Sequence, residues 1–274
     1  MRLNVLCVCQ FEFEVKKMSQ LSIKYFSRCL LRNITFNMIL PNDYVDRETE
    51  YTKRPRKTLM LLHGYTGDAG NWVPEEFANK YNFAIIIPNG ENGFWLDGIS
   101  TGHKFQSLIG IEIIEYIRKN FNLAKTPQDT YIMGMSMGGF GAIHTALAYP
   151  QTFGTAIGLS FANIINKISK MKPGDPDSHA NYEYYRECFG DLDKVKESEN
   201  NPEVQIKRLL QSGTKLPALY LACGKEDFLI ENDREFHQFL IDNKVEHVYW
   251  EAPGNHDPKF WDKCVQKFIP EIFA

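Results

Sequence analysis

The sequence has little that would tie it to a membrane, a metal or a nucleic acid. No apolar run approaches the roughly 20 residues that a bilayer-spanning helix needs, so no membrane partner is expected. The six cysteines, Cys7, Cys9, Cys29, Cys188, Cys223 and Cys264, are scattered without the spacing of a zinc site or a disulfide scaffold. A chain of 274 residues has no need of such staples, and reduced thiols, no metal and a cytoplasmic location are the expectation. Charge of either sign is not in excess: 31 Lys and Arg against 34 Asp and Glu leave a net −3, which gives no reason to expect a nucleic-acid partner. The one basic cluster, Lys53 to Lys57, contains Pro55 and reads as a solvated loop. A secretory leader is not expected either, because Asn4 interrupts the short apolar stretch and Glu12 and Glu14 follow where a small-residue cleavage site belongs. No internal repeat or low-complexity tract is visible.

What the chain does hold is Gly134-Met135-Ser136-Met137-Gly138, between a short apolar run at Tyr131 to Met133 and a stretch from Met137 to Ala148 with helical spacing of Phe140, Ile143, Ala146 and Leu147. A strand turned sharply into a helix projects the serine hydroxyl from the corner, and glycines on either side remove Cβ atoms that would clash. The helix N-terminus beneath it favours negative charge. Alone, such a motif is also an ordinary glycine-rich turn, so its partners decide its meaning.

Taken in order, residues 1–17 form an N-terminal extension that alternates at Phe11 to Val15, either an edge strand or residues upstream of a start at Met18. Ile23 to Phe26 and Ile34 to Leu40 read as an antiparallel strand pair ended by a turn at Pro41-Asn42-Asp43. Strands are expected at Thr58 to Leu62, Phe83 to Ile87, Thr155 to Leu159, Ala218 to Ala222 and Val245 to Trp250. Between them lie helical patterns near Trp72 to Tyr81, over Leu108, Ile111, Ile114, Ile117 and Phe121, near Arg234 to Asn243, and from Pro258 to Phe268. Strand alternating with helix at this rhythm predicts one α/β domain, residues 1–274, with a mostly parallel central sheet covered by helices on both faces. Residues 161–215 break the rhythm. They are polar and longer than an ordinary connection, and Tyr182, Tyr184, Tyr185 and Phe189 mark them as a small ordered cap. An exposed N-terminal edge strand would offer a surface for homo-oligomerisation.

Serine is a poor nucleophile at neutral pH and needs a base, an orienter for the base and donors for a developing oxyanion. In a parallel sheet these belong at the carboxyl ends of strands. The strand ending at Trp250-Glu251 runs into a loop carrying His256, and the one ending at Ala222-Cys223 runs into a loop carrying Asp227. Glu226 and Asp233 are rivals for the acid, and His247 is the rival for the base, although it falls inside a strand. The order Ser136, Asp227, His256 is that of the α/β-hydrolases and of neither other common serine hydrolase fold. The backbone N–H groups of Met137 and of Tyr65, in the His63-Gly64-Tyr65 loop, are the candidate oxyanion donors, with His63 a structural hydrogen-bonder. Trp95, Leu96 and Asp97, and Tyr182 and Tyr185 of the cap, are expected to line the acyl or alcohol site, with packing of the cap onto the body as their alternative role.

Four motifs occur in order: Leu61 to Gly67 with Asn71-Trp72, Gly134 to Ala142, Cys223 to Phe228, and Pro253 to Asp257 with Phe260-Trp261. With them the sequence, from near Met18 onward, resembles the esterase group of the α/β-hydrolases that includes tributyrin esterase, S-formylglutathione hydrolases, and feruloyl and acetylxylan esterases. The resemblance implies hydrolysis of short-chain acyl esters without a cofactor, with Ser136, Asp227 and His256 as triad and a small-molecule ester, such as an acylated carbohydrate, as substrate. Asn255 departs from the glycine these enzymes frequently have before the histidine. An acyltransferase on the same triad, an S-formylglutathione hydrolase and a non-catalytic binding module on the same fold stay open as alternatives.

Overall fold

A computed structural model describes residues 18–41, 49–177 and 179–274. The expected N-terminal extension and most of the turn at Pro41-Asn42-Asp43 lie outside them. Eight strands form one sheet in the order β1-β2-β4-β3-β5-β6-β7-β8. Strands β1 (Met18–Ser27) and β2 (Arg32–Pro41) form an antiparallel hairpin, and β2 pairs antiparallel with β4 (Phe83–Ile87). From β4 onward every pairing is parallel, through β3 (Lys57–Leu62), β5 (Thr130–Met135), β6 (Thr155–Leu159), β7 (Ala218–Gly224) and β8 (His247–Ala252).

The inner strands are near-continuous apolar runs because both faces of the sheet are covered. Their alternation divides the core in two. Leu59, Leu61, Phe83, Ile85, Ile87, Tyr131 and Met133 face α1 (Glu75–Tyr81) and α9 (Pro258–Phe273), which contribute Phe77, Tyr81, Phe260, Val265 and Phe268. Met60, Leu62, Ala84, Ile86 and Ile132 face the other way, into a core shared with α4 (Met137–Ala148) and α8 (Ile230–Asp242).

A helical stretch on that second face departs from the expected apolar stripe. It begins as α2 (Phe105–Ser107), passes through a π-helical segment (Leu108–Glu112), and continues as α3 (Ile113–Phe121). The wider turn shifts the buried face: Ile109 and Ile113 enter the core while Ile111, placed on the stripe by its spacing, is 42% exposed. Between β6 and β7 the chain forms α5 (Ile165–Ile168), α6 (Tyr182–Phe189), a 3-10 helix at Leu192–Glu197 and α7 (Pro202–Gln211). Tyr185, Phe189, Leu192, Val195 and Ile206 from this segment are buried in the same core as α4. Among the described residues no helix is long and apolar enough to cross a membrane.

Candidate functional site

Four loops leave the carboxyl edge of the parallel strands, after β3, β5, β7 and β8. Their meeting point is Ser136, between β5 and α4, which holds φ 56° and ψ −120°. For a residue with a Cβ this backbone costs about 1–3 kcal/mol, and the surroundings over-determine it. The Ser136 N–H donates to the Leu159 carbonyl at 2.8 Å, and its carbonyl accepts from the Phe140 and Ala162 N–H groups at 3.0 and 3.3 Å. The turn is so tight that a Cβ on Gly134 would stand 2.1 Å from the Gly138 carbonyl oxygen.

The Ser136 hydroxyl lies 3.0 Å from His256 Nε2. On the other side of the ring, His256 Nδ1 is 2.9 Å from Asp227 Oδ2 and 3.0 Å from Oδ1. Asp227 is buried, at 2% exposure. Burial alone would raise its carboxyl pKa, but hydrogen bonds from His256, from the Leu229 N–H (2.8 Å) and from Ser160 outweigh it and hold the group below the usual carboxylate range. It therefore stays ionised opposite the imidazole. That fixes the tautomer: Nδ1 donates to the carboxylate, and the lone pair of Nε2 faces the serine.

The rivals go elsewhere. Glu226 accepts the Gly254 N–H at 2.6 Å, tying the β7 loop to the β8 loop. Asp233 is fully buried on α8, accepts the Phe161 N–H at 3.3 Å, and is held well above the usual range, chiefly by burial. His247 contacts His237 at 2.7 Å, away from the serine. His63 is 5% exposed, and both ring nitrogens are committed to backbone: Nδ1 donates to the Gly64 carbonyl at 2.8 Å, and Nε2 accepts from the Gly90 N–H at 3.0 Å. Burial lowers its pKa and keeps it neutral.

Tyr65 follows in a turn closed by the Gly67 N–H on the Gly64 carbonyl at 3.0 Å. Met137, as first residue of α4, carries an N–H with no intrahelical acceptor. Tyr65, Ser136 and Met137 line a cavity of about 190 Å³, whose other walls include Phe94, Ala162, Ile164, Tyr185 and Phe228. Of the residues expected to line it, Tyr185 does, and its hydroxyl is anchored on Asp177 at 2.8 Å. Trp95, Leu96 and Asp97 do not. Trp95 and Leu96 are fully buried; Trp95 lies against Gly141, where a Cβ would stand 2.5 Å from it, and its indole donates to the His63 carbonyl at 3.1 Å. Asp97 accepts the backbone and hydroxyl groups of Ser107 at 2.9 and 2.5 Å. Consecutive left-handed residues Phe94 (φ 50°) and Trp95 (φ 57°) reverse the loop, so Phe94 faces the cavity in place of the tryptophan. Tyr182 yields in the same way to Tyr184, which lines the cavity and donates to the Asn92 carbonyl at 2.5 Å. The sequence reading also missed Phe228, 62% exposed but with its ring 4.5 Å from that of His256. Its position directly after Asp227 was the available signal.

The chain is similar to known proteins over most of its length. The family described as Putative esterase matches residues 27–270. An acetyl esterase of Caldicellulosiruptor saccharolyticus is 36% identical over 254 residues, 90% of this chain and 96% of its own. The S-formylglutathione hydrolase of Staphylococcus aureus superposes with a TM-score of 0.78 at 28% identity, over 94% of this chain and 99% of its own. A ferulic acid esterase of Anaeromyces mucronatus shares the fold, with a TM-score of 0.63 at 17% identity, over 100% of this chain and 98% of its own. With a strained serine facing a carboxylate-backed imidazole on the α/β-hydrolase sheet, this chain belongs to the Putative esterase family and is an ester-hydrolysing enzyme.

Proposed function

We propose that the chain is a serine carboxylesterase for short-chain acyl esters, acetyl to butyryl, working through an acyl-enzyme. The observation that carries this reading is the 3.0 Å approach of His256 Nε2 to the Ser136 hydroxyl, with Asp227 on the far nitrogen. His256 takes the hydroxyl proton as Ser136 attacks the ester carbonyl, and Asp227 holds the imidazole and balances its developing charge. The N–H groups of Tyr65 and Met137 hold the tetrahedral oxyanion; losing one such donor typically costs about 100- to 1000-fold in turnover. His256 then protonates the leaving alcohol, and water repeats the sequence on the acyl-enzyme.

The cavity size supports a short acyl group. About 190 Å³, walled by Phe94, Tyr185 and Ile164, is well below the roughly 300–1,000 Å³ that engulfs a drug-sized ligand, and it favours acetyl over hydroxycinnamoyl esters. The acetyl esterase likeness points the same way. Beyond Tyr65 and Tyr184 an open cleft of about 420 Å³, bordered by Asp177, His179 and Asn181, is polar enough for the alcohol side to be a sugar. Ser136→Ala is expected to abolish hydrolysis of p-nitrophenyl acetate and labelling by a fluorophosphonate probe. Along a series of p-nitrophenyl esters, kcat/KM is expected to peak between acetate and butyrate; a peak at octanoate or longer, or wild-type turnover by Ser136→Ala, refutes the reading.

A further inference from the structure

Asp227, Phe228 and Leu229 are consecutive, yet Asp227 and Leu229 are buried while Phe228 between them is 62% exposed. The turn that presents the ring is closed by the Asp227 N–H on the Gly224 carbonyl at 3.1 Å, the Leu229 N–H on Asp227 Oδ1 at 2.8 Å and the Ile230 N–H on the Asp227 carbonyl at 3.1 Å. Phe228 is thus fixed by the residue that backs the His256 imidazole. Its ring centroid stands 4.5 Å from that of His256, with planes at 42°, and 5.7 Å from that of His179 in the cap, with planes at 25°. Phe228 and His179 both line the cavity at Ser136, and His179 also borders the polar cleft beyond it.

A lone exposed phenylalanine on a protein surface is ordinary; this one stands in the wall of a cavity, against the histidine that faces Ser136. The proposed chemistry decides which half of an ester meets it. His256 Nε2 takes the Ser136 proton and must hand it to the leaving oxygen, so that oxygen has to come within about 2.6–3.2 Å of Nε2. The alcohol therefore leaves from the His256 side, and its first carbons pass the ring packed on that imidazole.

We propose that Phe228 is the platform for the alcohol half of the ester, and that the preferred alcohol is a ring that lays a flat face on it. The inference rests on the serine esterase reading above, with Ser136, His256 and Asp227 as triad. An aromatic face carries partial negative charge and takes up the slightly positive C–H groups of a ring set against it. A sugar brings such a face and, around it, hydroxyls for the cleft bordered by Asp177, His179 and Asn181; an aryl alcohol brings the ring alone. A short open-chain alcohol covers little of the phenyl face. Because the turn at Asp227 holds Phe228 in place beforehand, little ordering is left to be done when the ring arrives.

The test keeps the acyl group constant and changes the alcohol, measuring kcat/KM on a monoacetylated methyl glucoside, phenyl acetate and ethyl acetate. In Phe228→Ala the preference for a ring ester over ethyl acetate is expected to fall about 5- to 10-fold, while Phe228→Tyr, which keeps the flat face, retains it. A fall confined to the glucoside identifies the ring as a sugar and one confined to phenyl acetate identifies it as aryl; either supports the platform. Equal losses on all three esters would mean that Phe228 only steadies His256, and they overturn the proposal. So does an unchanged preference, a Phe228→Tyr enzyme as impaired as Phe228→Ala, or a change in the acetate-to-butyrate ratio larger than the change between alcohols, which would put Phe228 on the acyl side. Ser136→Ala, run in parallel, separates the two claims. Its inactivity beside an unchanged preference in Phe228→Ala refutes only the platform, whereas activity retained in Ser136→Ala refutes the triad on which the platform rests.

Discussion

His63 and His256 each follow a parallel strand on the same edge of the sheet, yet they do opposite things with their nitrogens. His63 spends both on backbone, a carbonyl at Gly64 and an N–H at Gly90, and is buried and neutral. His256 turns one nitrogen to an ionised carboxylate and the other to a hydroxyl on a strained residue. Two aspartates six residues apart repeat the contrast. Asp227 receives donors enough to stay charged in a buried place, while Asp233, more deeply buried, has its carboxyl pKa pushed well up by burial. Residue type, and for the two histidines strand-end position, is therefore shared by the proposed working groups and the supporting ones alike. What separates them is whether the partners leave a lone pair or a charge free to act.

The comparison is broken most directly at His256. With the triad assigned as proposed, His256→Ala is expected to lower kcat on the order of a million-fold while the melting temperature barely moves, since the ring is partly solvated at the cleft. Stopped assays on p-nitrophenyl acetate together with calorimetry would check both halves. Asp227→Asn comes next, at about 10⁴-fold in kcat, because an amide cannot hold the same imidazole tautomer. His63→Ala should show the reverse pattern. It strands the Gly90 N–H in a buried place, a cost of about 1–3 kcal/mol, and is expected to appear as a lowered midpoint in urea unfolding with much of the activity retained. A His63→Ala enzyme as inactive as His256→Ala would erase the distinction drawn here.

Much of this arrangement was legible in the residues. Phe83 to Ile87 and Thr155 to Leu159 were bounded as the structure has them, because a strand buried on both faces is written as an unbroken apolar run between turn residues. The order Ser136, Asp227, His256 was legible for a related reason: strand ends fix which loops share an edge of a parallel sheet. The cavity walls were not legible. Whether Phe94 or Trp95 faces the cleft is decided by two left-handed residues in succession, and neither is a glycine or asparagine that would announce the reversal. Tyr182 and Tyr184 differ only in phase on an eight-residue helix, set by the Asn181 cap, whose side chain accepts the Tyr184 N–H. The exposed Ile111 has the same kind of origin, since a π turn inserts a residue that no 3.6-residue pattern anticipates. Spacing carries position along an element; rotation about it depends on backbone angles at a few residues.

The effect that leaves activity most nearly unchanged is also the one that tests the aspartate pair most cleanly. The carboxyl pKa of Asp233 is raised in the fold, chiefly by burial, with Asp227 and Glu251 nearby adding like charge, whereas in the unfolded chain an aspartate ionises near ~3.9. Above that value the unfolded state has released a proton that the folded state still binds, so this residue makes the protein less stable as pH rises, until the folded group itself ionises. Asparagine keeps an oxygen for the Phe161 N–H, which Asp233 now satisfies at 3.3 Å, and has no proton to lose. Asp233→Asn is therefore expected to gain on the parent as pH rises, by up to about 1.4 kcal/mol per pH unit above pH ~4. Esterase activity should be nearly unchanged. Urea midpoints measured at several pH values give the slope directly. A gap that is flat or narrows with pH would mean that Asp233 is ionised in the fold, and that the two aspartates differ in their neighbours but not in their charge.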